Sequence, residues 1–218
     1  MKIEFFASVK SLWFMNMLSL NPRGRNIEKP VAACLKAWYG FEDPVLGEDK
    51  GRTFKNGEFS PTDNNNDLIG MELKWYSDGL VAIATTKTED TELFLERTLT
   101  RLTKEGLIVY RPEIVTEKRY ASEVVARADR PLMEFPQLAS VYELFSKFVY
   151  PTNAAKPCVV GLALDLDPGE ARRQVIPLKF ERRANTSKSE NLYYSHAPVK
   201  SSQHQILLDE LEKALSAS

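Results

Sequence analysis

The sequence predicts an α+β protein: a mostly antiparallel sheet with helices packed on one face, with two strand-strand-helix units. Three observations predict it. Short apolar runs alternate with polar residues and are joined by tight turn signals, which makes neighbouring strands antiparallel. Longer stretches repeat apolar residues at helical spacing between recognisable start and stop residues. The 218 residues are 43% hydrophobic and 27% charged, ordinary for a chain with a full core.

The elements follow in order. Ile3, Phe5, Ala7 and Val9 alternate with Lys2, Glu4, Phe6 and Ser8, the period of a half-buried strand. SLWFMNML is then apolar on both faces: a fully covered strand, or a surface awaiting a partner. Pro22 and Gly24 break the pattern. Pro30 opens a helix with Val31, Cys34, Leu35 and Trp38 on one face, and Gly40 ends it. Asn56-Gly57 suits a type I′ hairpin turn. The polar loop SPTDNNND sets a boundary. Residues 1–66 read as a strand/helix/hairpin subregion packed on the main body, and 67–218 as the main α+β domain.

Met71, Leu73 and Trp75 mark the next strand, SDG turns the chain, and LVAIATT returns. Thr88 caps a helix with Glu89 and Asp90 in its first turn and a face of Phe94, Leu95, Thr98, Leu99 and Leu102. LIVY and RYASEVVAR read as strands. A helix follows Pro136 with Leu138, Val141, Tyr142, Phe145, Phe148 and Val149 as its stripe. CVVGLALDL and QVIPLKFERR form a strand pair. Pro177 cannot donate to a ladder, which predicts an edge strand or bulge there. Ser202 and Gln205 form the expected capping box of a last helix, with Ile206, Leu207, Leu211 and Leu215 facing inward.

Composition excludes several function classes. The formal charge of -1 gives no global attraction to nucleic acid or anionic membrane, although a local basic patch stays open. Two cysteines, Cys34 and Cys158, read as small buried hydrophobes, so a reducing, cytoplasmic setting is expected. The apolar N-terminus is interrupted by Glu4 and Lys10 and reads neither as a membrane span nor as a signal peptide. The sequence carries no phosphate-loop, G-x-G-x-x-G, H-E-x-x-H, G-x-S-x-G or C-x-x-C signature.

Three constellations remain. Asp165 and Asp167 share one face of a strand about 6.5 Å apart, with Glu170 following; they offer carboxylates to a hard divalent cation such as Mg or Mn. Glu72 and Lys74 alternate on strand MELKW. This acid-x-lysine spacing resembles the second half of the metal-dependent nuclease motif of restriction-endonuclease-like folds. The resemblance implies an upstream acid, for which Asp63 and Asp67 are nearest, although a polar loop is an unusual place for it. The third is FERRANTSKSENLYYSHAP. Arg172 and Arg173 precede its strand, Arg182 and Arg183 end it, and Tyr193, Tyr194 and His196 follow. Guanidinium forks grip phosphate or carboxylate at two points, and tyrosines stack on bases or bury. Arg182 shares parity with Phe180, so it is expected to turn inward and pair with an acid such as Glu190.

The expected function is a non-catalytic binding or assembly protein acting through protein-protein contacts. It would be a homo-oligomer or a subunit of a larger bacterial or phage-type complex, without cofactor. The alternative is an Mg- or Mn-dependent nuclease or phosphodiesterase, or a simple nucleic-acid-binding protein.

Overall fold

The computed structural model describes residues 1–21, 23–47, 51–62, 67–139, 141, 143, 160–164 and 177–217. The chain is α+β. Among the described residues nine strands follow in order: β1 (Lys2–Met15), β2 (Val45–Leu46), β3 (Arg52–Phe59), β4 (Ile69–Trp75), β5 (Gly79–Ala84), β6 (Val115–Arg127), β7 (Gly161–Leu164), β8 (Leu178–Arg182) and β9 (Leu192–Ala197). The helices are α1 (Met17–Leu20), α2 (Glu28–Tyr39), α3 (Thr88–Lys104), α4 (residues 136–139, with 141 and 143 also helical) and α5 (Ser201–Ser216). The strand order is β2-β3-β4-β5-β1-β6-β9-β8-β7.

By contacts the chain divides into one unit of Met1–Ala7 with Ser122–Ser218 and another of Ser8–Ala121. The polar loop chosen as a boundary lies inside the second of these. We call them the C-terminal unit and the central unit.

In the central unit, β3, β4 and β5 form a meander and β1 pairs antiparallel with β5, Ser11 opposite Ala82 and Trp13 opposite Leu80. The alternation in β4 and β5 buries Met71, Leu73, Leu80, Ala82 and Ala84 on one face. Helices α2 and α3 cover that face. Phe94 sits among Tyr39, Phe59 and Phe41, with ring centroids 5.1, 5.4 and 6.1 Å away in edge-on geometry, the arrangement that aromatic quadrupoles favour. The Tyr39 hydroxyl is satisfied inside the core by Thr98, 3.1 Å away.

Several local expectations change here. Asn56-Gly57 is not a hairpin turn. It is a bulge within β3, where pairing with β4 shifts between Phe54 and Gly57 and Asn56 adopts φ 57. The Phe41 ring explains the glycine: a Cβ on Gly57 would lie 2.3 Å from it. LIVY forms no strand, and the Val109 amide instead donates to the Leu20 carbonyl at 2.8 Å. Lys87, not Thr88, is the residue preceding α3. Tyr39 replaces Trp38 and Cys34 on the buried face of α2, leaving Cys34 half-buried.

In the C-terminal unit, β6 pairs with β9, β9 with β8 and β8 with β7, all antiparallel. Pro177 stands just before β8, which lies between β9 and β7, so β8 is not an edge strand. The proline avoids the ladder by preceding it. Val124, Ala126, Phe180 and Tyr193 form a core with Leu208 and Leu215 of α5. That helix begins at Ser201, and the Lys200 amide donates to the Gln203 side chain, two residues before the expected capping box. Its face is turned accordingly. Leu208, Leu215 and His204 are buried, whereas Ile206 is 62% exposed. The apolar pattern alone misplaced the face because the most buried residue of its first turns is a histidine.

Candidate functional site

The arginine–tyrosine stretch separates onto the two faces of the C-terminal unit's sheet. Strand alternation sends Arg182, Tyr193 and Ser195 to the α5 side, and Tyr194 and His196 to the other. Tyr193 is buried, stacked on Phe180 with centroids 4.7 Å apart, and its hydroxyl accepts from the Leu132 amide at 2.9 Å. Arg182 is half-buried but does not pair with Glu190: it donates to the Thr186 carbonyl and so ties down the β8–β9 connection. Glu190 is taken by the Ser187 amide at 2.8 Å, which caps a single 3-10 turn. Asn191 then takes φ 51, a left-handed conformation that asparagine tolerates.

On the opposite face Arg183 is exposed and lies 5.3 Å from the Phe5 ring centroid. Tyr194 donates to Glu123 at 2.6 Å; burial and that carboxylate raise its phenol well above the usual range. His196 stands opposite Glu123 on β6 and Lys179 on β8. Arg172, Arg173, Asp165 and Asp167 lie outside the described residues. Glu72 is paired with Lys74, 3.7 Å away on the same strand. Among the described residues, no three His, Cys, Asp or Glu side chains are grouped as metal ligands. No helix among them is long and apolar enough to cross a membrane.

One titratable group is wholly enclosed. His204 on α5 lies between two serines, with Nδ1 2.7 Å from Ser122 Oγ and Nε2 2.8 Å from Ser195 Oγ. Each serine also reaches a carbonyl: Ser122 that of Val199 at 3.1 Å, Ser195 that of Lys179 at 3.2 Å. A neutral imidazole has one N–H and one lone pair. One serine therefore gives its proton to the ring while the other accepts the ring's proton and donates to its carbonyl. Burial, helped by nearby His196, lowers the His204 pKa to about 4. Serine next to histidine is a nucleophile's arrangement, but all three side chains are fully buried and present nothing to a substrate.

The open surface of most interest is the central unit's sheet face that α2 and α3 do not cover. Strand β1 resolves the doubly apolar stretch: Ser11, Trp13 and Met15 are buried toward the helices, while Leu12 and Phe14 are half-buried on the far side. Register aligns Leu12 with Val81 and Lys74, and Lys10 with Ile83 and Glu72. The result is an aliphatic centre of Leu12, Val81 and Ile83 bordered by charges of both signs. At the Phe14 end, Arg119 lies 5.4 Å from the Phe14 ring centroid and pairs with Glu117 at 2.6 Å. A hollow of about 270 Å³ is lined by Leu12, Phe14, Tyr76 and Val81 among others. Gly79 opposite Phe14 is sterically required, since a Cβ there would meet the Trp13 carbonyl at 2.3 Å.

No known family model and no curated protein matches the chain.

Proposed function

We propose that the protein is a non-catalytic assembly protein whose contact surface is the open sheet face around Leu12, Phe14, Val81 and Ile83, and that its occupant is a second copy of the chain. One observation carries the reading: strand β1 is apolar on both faces, and helices of its own unit bury only one of them. Contiguous apolar surface rimmed by polar groups is how soluble proteins mark interfaces.

The charges favour self-association over a partner of a single sign. Lys10, Lys74 and Arg119 alternate with Glu72 and Glu117 around the aliphatic centre. A two-fold contact places the same patch against itself, so a patch of mixed signs can set Glu72 and Glu117 of one copy against cations of the other. The Glu72–Lys74 pair, whose spacing resembles half of a nuclease motif, belongs in this reading to the rim of an interface.

Exchanging the charged rim tests it. Lys74→Glu alone weakens self-association, and combining it with Glu72→Lys restores it, because the pattern of signs is regained. Sedimentation velocity reads the outcome. A wild-type protein sedimenting as a monomer at every concentration refutes the proposal.

A further inference from the structure

We infer that a second surface of the central unit, the groove between α2, α3 and the end of β3, binds a small anion carrying a flat ring, of the mononucleotide class. Arg97, Arg101 and Lys104 recur on α3 at the spacing that places side chains on one face. All three are exposed. The Arg101 guanidinium lies 4.2 Å from the Trp38 ring centroid, and that of Arg97 lies 5.7 Å from Phe59. Arg97 is fixed further by donating to the Ser60 carbonyl at 3.2 Å. The groove they line holds about 780 Å³, within the range of small-molecule sites.

Two guanidiniums braced on rings are pre-organised donors. The planar fork of arginine matches phosphate oxygens at two points, and its flat face stacks on a further ring. Among the described residues, neither Arg101 nor Lys104 has a carboxylate within ion-pair distance. Leu68, 54% exposed, gives the groove an apolar wall.

The size of the ligand follows from the acids. Glu58, Glu96 and Glu105 also line the groove, equal in number to the cations. Glu96 is engaged by the Tyr110 hydroxyl at 2.7 Å, while among the described residues the side chains of the other two have no hydrogen-bond or ion-pair partner and repel a long polyanion. A strand of nucleic acid needs a track of uncompensated positive charge, which this groove lacks. One base with one or two phosphates sets its charge on the Arg97–Arg101–Lys104 face alone, and its size fits the groove's volume.

Titration calorimetry with ADP tests the site, with adenosine, inorganic pyrophosphate and a short single-stranded oligonucleotide as comparison ligands. ADP is expected to bind saturably and more tightly than adenosine or pyrophosphate. Arg101→Gln is expected to weaken it about tenfold, the loss of one bidentate charged contact. Arg101→Lys keeps the charge and loses the stacked fork, so it is expected to weaken ADP without changing the response to added salt. Each variant keeps its thermal unfolding midpoint, because Arg101 is on the surface. Absence of ADP binding, undiminished binding in both variants, or tighter binding of the oligonucleotide than of ADP overturns the inference. Self-association through the opposite sheet face is unaffected by any of these results.

Discussion

The two units repeat one plan, with an extra short helix and a two-residue strand in the central unit, and differ in what their helices bury. Among the described elements, the central unit runs β1, α1, α2, the meander β2 to β5 and α3, and the C-terminal unit runs β6, α4, the meander β7 to β9 and α5; in each, the strand that opens the run lies beside the last strand of the meander, β1 beside β5 and β6 beside β9. The correspondence extends to side chains. Lys87 precedes α3 and Lys200 precedes α5. Thr88 and Ser201, the first helical residues, are both buried, as are Leu95 and Leu208 a little further on. The fourth helical residue is Thr91 in one and His204 in the other, and each meets a buried serine of the unit's first strand at 2.7 Å: Ser11 with Thr91, Ser122 with His204. One joint, a polar first turn pinned to a strand serine, appears twice. The central unit builds it from hydroxyls that do not titrate, and the C-terminal unit from an imidazole that does. The same fold position therefore carries pH-dependent stability in one unit only.

The cores provide the largest contrast. Phe94 meets three aromatic rings and Phe180 one. Phe94→Ala is expected to lose about 3–5 kcal/mol, and Phe180→Ala a value nearer the lower end of that range, in urea unfolding. Equal losses would show that ring packing does not distinguish the units.

The histidine joint comes next. His204 has a folded pKa depressed to about 4, below the ordinary value of 6.5. Its contribution is present above pH 6.5 and is lost as pH falls through the folded value, because the unfolded chain takes the proton first. The shift corresponds to roughly 3 kcal/mol at most, lost between about pH 6.5 and pH 4. His204→Thr, which copies the central unit's joint, is expected to remove that limb from the difference between the two pH–stability curves. Parallel curves for wild type and variant would contradict the placement of His204.

A smaller effect separates the sheet's two faces. Tyr194→Phe deletes the half-buried bond to Glu123 and is expected to cost about 1–2 kcal/mol. Arg183→Ala, which removes only a guanidinium lying over half-exposed Phe5, is expected to stay within about 0.5 kcal/mol. Reversal of that order would mean that the exposed arginine, not the tyrosine, secures this face.

Much of this was legible in the residues. Alternation in MELKW and LVAIATT located β4 and β5, and helical spacing located α2, α3 and α5. What escaped was set by distant neighbours. Asn56-Gly57 has the chemistry of a hairpin turn, and only the Phe41 ring pressing on Gly57 makes it a bulge. Ile206 fits an apolar stripe, and only two serines on other strands turn His204 inward in its place. The candidate sites divide the same way. SLWFMNML showed a doubly apolar strand in the sequence, because Ser11–Met15 carry most of that signal on β1, but left open whether its second face was covered or exposed. The Trp38–Arg101 groove gave none, since its residues come from three elements. The arginines and tyrosines of FERRANTSKSENLYYSHAP looked like one cluster because they are adjacent in sequence, but strand alternation sends neighbours to opposite faces.

The central claim is that the helix-free face of the central unit is an interface between copies. Light scattering over a concentration series, on wild type and on Leu12→Lys, tests it most directly. The account predicts a wild-type mass rising toward twice that of the chain, and a folded monomer for Leu12→Lys at every concentration. A wild-type mass fixed at that of one chain, or a variant that associates as strongly as wild type, would contradict it.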